Sequence, residues 1–307
     1  VIAIGFLSGD QSFRDSLLEI NGFRYYLNAT GAYLIEYDNQ VGGDLVGHVS
    51  IPSHVSGLPV VSVAGLHSQE GITSISIPGT VKGIGYGAFY NCLGLSSVSI
   101  PDSVEVIDTG AFYECSNLET ILMGSSISYI GESAFENCTA LTSISLPDTL
   151  SFLADSIFQG CSSLASITRP ETLESIESRA FSGCSSLASI TLPETLESIG
   201  SQAFSGCSSL TSLLIPDSVS YIGENAFGDV DRPSALVELS IPNRFAPVLS
   251  ALGVPTDLVP ELFYGAIAEV LKDDVDFVAA VAAAMLAAEN NSGFATKQEL
   301  PLVEQQG

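Results

Sequence analysis

The side chains best equipped for chemistry are six cysteines, three histidines and a large number of serines and carboxylates. An even cysteine count ordinarily points to a disulfide framework. Here Cys92, Cys115, Cys138, Cys161, Cys184 and Cys207 each follow the last by 23 residues, so each fills the same slot of a repeating unit. His48, His54 and His67 could serve as bases or metal ligands, but none has a carboxylate or thiol at a spacing that fixes a site. His48 and His54 would not share a helix face, and no third ligand stands near them. No G-x-S-x-G occurs to present a nucleophilic serine, and there is no Walker loop. Gly83, Gly85 and Ala88 fit a relaxed dinucleotide fingerprint, yet they occupy slots that recur every 23 residues and the repeat accounts for them. These readings predict no catalytic residue, no metal, no cofactor and no enzyme.

What remains is chemistry of contact. Two columns of small hydroxyls recur with the period: Ser74/Ser76, Ser97/Ser99, Ser143/Ser145, Ser166/Thr168 and Ser189/Thr191, with Leu122 and Leu214 interrupting one of them. On neighbouring strands such rows could hydrogen-bond a glycan, a protein strand or ordered water, although no tryptophan is present to stack on a sugar. The residues expected to carry binding are Ser143, Ser145, Ser166, Thr168, Ser189 and Thr191. Beside them runs an acidic column, Asp102, Asp148, Glu171, Glu194 and Asp217, and a second containing Glu105, Glu174 and Glu197. A solvated face is the ordinary state of such carboxylates, and a bound cation would be the special one.

The repeat itself must position these groups. Phe89, Phe112, Phe135, Phe158, Phe181, Phe204 and Phe227 keep the cysteine beat, as do the leucines from Leu95 to Leu210. In the unit that starts at Cys138, Leu141, Ile144 and Leu146 form L-x-x-I-x-L, with Ser143 and Ser145 alternating against the apolar residues. That alternation predicts a short strand with one face inward, ended at Pro147 by the loss of a backbone donor. A second apolar pair, Leu150 and Leu153, precedes the large ring of Phe158. A unit this short cannot bury its apolar face alone, so stacked units must stabilise one another as a solenoid.

The pattern C-x-x-L-x-x-I-x-L-P-x-x-[VL]-x-x-I-G-x-x-A-F resembles the BspA-like leucine-rich repeats of bacterial and some protist surface proteins. It runs from about Gly71 to Pro242 in seven copies, and Phe23 to Gly65 resembles the region that precedes such repeats. The resemblance implies an α/β leucine-rich-repeat solenoid with one parallel β-sheet. It also implies that the cysteine slot points inward and satisfies loop backbone with a buried thiol. Arg169 departs from an apolar column, Gly124 from the proline column, and Asp108, Ala154 and Glu177 from the glycine of the I-G pair. These departures put local regularity in question. Copies 161–183 and 184–206 differ only at Arg169/Leu192, Glu177/Gly200 and Arg179/Gln202, the mark of a duplication that a surface or scaffold tolerates better than an active site.

Four segments are expected: 1–20 without assignment, 21–70 as an N-terminal capping region, 71–242 as repeats, and 243–307 as a helical C-terminal cap with a polar tail. In the last, Phe263, Ile267, Val270 and Leu271 share one helical face over 258–272, and Asp274 opens a second, alanine-rich helix over 274–289. Val1 in place of Met marks a mature form or a fragment. The longest apolar run, Phe277 to Ala288, is 12 residues, against the ~20 that a spanning helix needs. The 307 residues are 46% hydrophobic, enough for a core, and carry 35 acidic against 9 basic side chains for a net charge of −26. Nucleic acid and anionic membranes are poor partners for that surface. The expectation is a non-enzymatic, extracellular or cell-surface adhesin-type module that takes a protein or glycan ligand on its strand face. That assignment also leans on the resemblance, because BspA-like proteins are associated with attachment. A self-assembling structural scaffold and an intracellular interaction scaffold are the alternatives, and self-association is possible in any of them.

Overall fold

The computed structural model describes residues 2–6, 16–223, 225–228 and 238–240. The chain opens on an antiparallel meander of Ile2–Phe6, Ser16–Ile20, Phe23–Asn28 and Gly31–Tyr37. Its second turn is Asn21-Gly22, both at positive φ (51° and 84°), the backbone that a two-residue hairpin needs and that Asn-Gly adopts at low cost. Leu18, Tyr25, Leu27 and Leu34 bury the inner face. Arg24 gathers Glu19, Glu36 and Asp38 at 3.3, 2.8 and 2.7 Å on the outside. The last strand of the meander then pairs in parallel with Leu58–Val63, so the hairpin end templates the first turn of the solenoid.

Each later coil contributes two short strands, except the coil of 184–206, which contributes one. The first series begins with Gly47–Ser50, Ile72–Ser76, Ser97–Ser99 and Thr120–Leu122, in parallel register through Val49, Ile75, Val98 and Ile121. The second runs from Leu58–Val63 through Gly83–Ile84, Val106–Ile107 and Tyr129–Ile130. It resumes as Phe152–Leu153, Ser175–Ile176, Ser198–Ile199 and Tyr221–Ile222. The single parallel sheet expected from sequence is therefore two ladders, because the I-G pair before each phenylalanine also bonds to the coil behind it. The only helix among the described residues is the four-residue Asn39–Gly42, so the solenoid is built of strands and turns rather than of α/β units. A 23-residue coil that spends its return path on a second strand and a phenylalanine turn has no length left for a helix. The helices expected over 258–272 and 274–289 lie outside the described residues.

The interior is a set of columns. Six successive phenylalanine pairs from Phe89 to Phe227 stack with centroids 5.1 to 6.1 Å apart. Full burial of one such ring is worth about 1.5–3 kcal/mol. All six cysteines are buried and free. Each thiol donates to a carbonyl of the preceding coil, as Cys115 does to Phe89 at 3.0 Å and Cys161 to Phe135 at 3.0 Å. The same carbonyl accepts a backbone N–H, for instance Cys92 N to Phe89 O at 3.1 Å, so both lone pairs are used.

The ladders are not continuous, and their interruptions fall where the sequence departs from its pattern. Neither ladder pairs across the boundary between 120–130 and 143–153. There Gly124 lies so close to the preceding coil that a Cβ would sit 2.4 Å from the Pro101 carbonyl oxygen. Ser125 anchors the same turn backward, with its N–H and Oγ 2.8 and 3.0 Å from the Asp102 carboxylate. Forward of it, Thr149 Oγ donates to the Ile127 carbonyl across the joint. Ala154 replaces glycine at this same boundary, but Asp108 and Glu177 keep the ladder bond in that slot at 2.8 and 2.9 Å, so a side chain there does not itself break pairing. The second interruption follows Arg169. In regular coils the backbone N–H of this slot reaches forward, Ile100 to Leu122 at 2.8 Å and Leu146 to Thr168 at 2.9 Å. At Arg169 the side-chain Nε takes the Thr191 carbonyl instead, and 189–191 form no strand.

Candidate functional site

Four of the six residues expected to bind lie on paired strands. Ser143 pairs with Ser166 and Ser145 with Thr168 on adjacent parallel strands, and all four are exposed. Ser189 and Thr191 are exposed too, but they lie outside any strand because Arg169 has captured the Thr191 carbonyl. The hydroxyl rows are therefore regular over two coils and looser at the third. At the other end of this face the His48 ring spans two serines, Nδ1 2.9 Å from Ser74 Oγ and Nε2 3.0 Å from Ser76 Oγ. With both nitrogens facing hydroxyls, no carboxylate orients the imidazole as a catalytic base requires. Leu122 and Leu214, 68% and 65% exposed, add apolar contact surface to the face.

Some carboxylates of the acidic columns are individually engaged, and three share a groove. Asp102 is held below the ordinary carboxylate range by the Ser125 N–H first and its hydroxyl second. Glu105 pairs with Lys82 of the preceding coil at 3.0 Å. Glu174, Glu194 and Glu197 line a shallow groove of about 510 Å³ with Thr195, Ser218 and Ser220. Among the described residues no group of three potential ligands is arranged to hold a metal ion. The thiols are poor nucleophiles: burial pushes Cys92 up to about 11 and Cys161 and Cys207 to about 12.

One feature escaped the sequence reading. On the turn side, beside the phenylalanine column, a cleft of about 820 Å³ opens between the meander and the first coils. Tyr86, Tyr90 and Tyr113 line it together with Ile35, His67 and Thr109. Tyr86 is 75% exposed, and Tyr90 stacks on Tyr113 at 5.3 Å. The signal was present in the columns. The slots of Tyr86 and Tyr90 hold Asp155 and Gln159, or serine, in later coils, so aromatics are confined to the coils nearest the meander.

Stacked parallel coils, an inward cysteine and a phenylalanine spine define a leucine-rich-repeat solenoid. The chain belongs to the BspA type leucine rich repeat family, whose model matches residues 64–171 and 153–246 in six copies. A leucine rich repeat protein of T. pallidum is similar at 29% identity, over 63% of this chain and 90% of that one, with a TM-score of 0.57. A leucine rich cell surface protein of Faecalibacterium prausnitzii is 25% identical over 74% of this chain and 77% of that one, with a TM-score of 0.53. No curated protein matches the chain.

Proposed function

We propose that this chain is a non-enzymatic, surface-exposed or secreted module of the adhesin type, binding a protein or glycan through its strand face. The observation that carries the reading is the register of Ser143 and Ser145 on Ser166 and Thr168, which sets exposed hydroxyls at strand spacing on a rigid, uncharged patch. Ser189 and Thr191 extend the patch onto the less regular coil. Three further points support it: the family is one of repeat proteins, a similar protein is described as a cell surface protein, and no described helix is long and apolar enough to cross a membrane. The working division is a capping region over 21–70, repeats over 71–242 and a C-terminal cap over 243–307.

The test is binding of the labelled chain to arrayed matrix proteins and glycans at physiological salt, beside a Ser143→Arg, Ser166→Arg variant that circular dichroism shows to be folded. A ligand held by the parent and lost by the variant is the expected result. Absence of any ligand, or one indifferent to the variant, overturns the reading and favours the self-assembling scaffold.

A further inference from the structure

We propose that the tyrosine cleft beside the meander is a second binding site, which takes a basic, arginine-bearing segment of a protein partner. Tyr86, Tyr90 and Tyr113 bring three phenol rings to one depression, and no Lys or Arg lines it. Glu36 reaches the rim but is committed to Arg24 at 2.8 Å, so it is not the source of free negative charge. Glu114 and Glu136 do not line the cleft, but both act on Tyr113: burial first, then their charges, raise its hydroxyl above the ordinary value, so the Tyr113 side of the cleft is negative.

That potential selects among ligands. A neutral sugar gains nothing from it. An anionic ligand is repelled, both locally and by the net charge of −26. A guanidinium gains on each count. It is planar and weakly hydrated, it stacks on aromatic faces, and it donates to phenol and carboxylate oxygens. The overall charge speeds its approach, and the tyrosines give the cleft a preference that charge alone cannot supply.

The site is independent of the strand face, since none of its residues lies on that face, and either reading can fail alone. The test is fluorescence anisotropy of a fluorescein-labelled oligoarginine peptide at physiological salt. Parent chain is compared with Tyr86→Ser, Tyr90→Ser and with Glu174→Gln, Glu194→Gln, Glu197→Gln, a variant that removes three charges from the distant groove. The tyrosine variant keeps the net charge. It is expected to weaken binding about tenfold, the scale of a partly desolvated cation–π contact, while the charge variant shifts it less than about twofold. Tyr86→Phe, Tyr90→Phe keeps the rings and removes only the phenol acceptors, so it should weaken binding less than the serine variant does. Equal weakening by both variants, or weakening by the charge variant alone, overturns the proposal, because the peptide then follows net charge rather than the cleft. Loss of a neutral glycan by the tyrosine variant, with peptide binding unchanged, overturns it in favour of a sugar site. Should the double variant misfold, Tyr86→Ser alone at a 75% exposed position carries the same comparison.

Discussion

The coils nearest the meander and the duplicated pair 161–206 have the same interior and different exteriors. Phe89 and Phe112 stack at 5.1 Å, and Phe181 and Phe204 at 5.3 Å, and the thiols of Cys115 and Cys184 make the same bond to the carbonyl of a phenylalanine one coil back. At the turn, the first pair carries Tyr90, Tyr113 and Glu114, where the second carries the glycines Gly183 and Gly206 and the buried serines Ser182 and Ser205. The difference teaches where selection can act in a solenoid. Interior columns are shared by three coils at a time and must agree. Turn side chains reach at most a neighbouring coil, as Tyr90 reaches Tyr113, so they are freer to become a site or to remain a filler of serine and glycine.

The shared interior should give way first in alkali. Each buried thiol is raised in the folded chain above its ordinary value of 9.0, so the unfolded chain ionises first. Stability is therefore complete below about pH 9 and falls as pH rises toward the folded values. One unit above the unfolded value the loss is about 1.4 kcal/mol per thiol, and with six thiols the sum exceeds any single substitution. Tyr25, pushed up to about 12 by burial, adds in the same direction above pH 10. Urea midpoints measured between about pH 8 and pH 10 check this, and a flat profile would contradict the buried, protonated ladder. The two regions also separate here. The loss from Cys92, at about 11, levels off sooner than that from Cys161 and Cys207, at about 12. With the series extended to about pH 12, a Cys92→Ala variant should therefore flatten the curve between about pH 9 and pH 11 and leave its slope above pH 11 unchanged.

A single break in the spine comes next. Phe181→Ala in the duplicated pair removes a fully buried ring with a stacked neighbour on each side, and is expected to cost about 3–5 kcal/mol. Phe227→Ala, stacked at 6.1 Å on its one described side, should cost less. Equal losses by urea denaturation would mean that the column is not cooperative along its length.

Arg169→Leu sharpens the comparison within the duplicated pair, since it makes the two copies alike at the apolar slot. The Arg169 side chain is 13% exposed, Nη1 lies 3.1 Å from the Glu171 carboxylate but outside hydrogen-bonding geometry, and Nε holds a carbonyl the backbone uses elsewhere. Replacing a poorly satisfied buried charge with a fitting apolar residue is expected to stabilise by about 1–3 kcal/mol. Protection of the 189–191 amides in hydrogen exchange should rise with it. A destabilised variant with unprotected amides would mean that the strand is lost for another reason.

The fate of that strand also shows what the sequence discloses. The period, the inward thiol, the phenylalanine spine and the strand at 143–145 are legible because one residue type recurs in one slot. The second ladder is harder to read, because its strands are two residues long and their pairing is carried by backbone groups that no side-chain pattern reports. The loss of pairing at 189–191 is written twenty residues earlier, in Arg169, as a departure whose reach across the coil only geometry reveals. Ile35, His67, Tyr86 and Tyr113 meet in the cleft from different coils and from the meander, so no local spacing could have gathered them. A scan of each turn column for residues that change type along the solenoid would have found the tyrosines.

The smallest effect bears most directly on the comparison. Glu114 holds φ at +59°, and the equivalent slot in the duplicated coils is glycine, at +78° in Gly183 and +75° in Gly206. A side chain in that conformation costs roughly 1–2 kcal/mol, and the extra freedom of an unfolded glycine returns part of it. Glu114→Gly should therefore stabilise the chain by about 0.5–1 kcal/mol, read as a rise in melting temperature. The same change removes one of the two carboxylates that set the potential at Tyr113, so binding of the oligoarginine peptide should weaken as the melting temperature rises. Gly206→Glu, its mirror in the duplicated pair, should lower the melting temperature and leave the peptide affinity alone. If Glu114→Gly gains stability without losing affinity, the left-handed glutamate is only an unoptimised turn. If both move, the coils beside the meander carry a strained residue in the service of the cleft, while the duplicated coils have kept the glycine the backbone prefers.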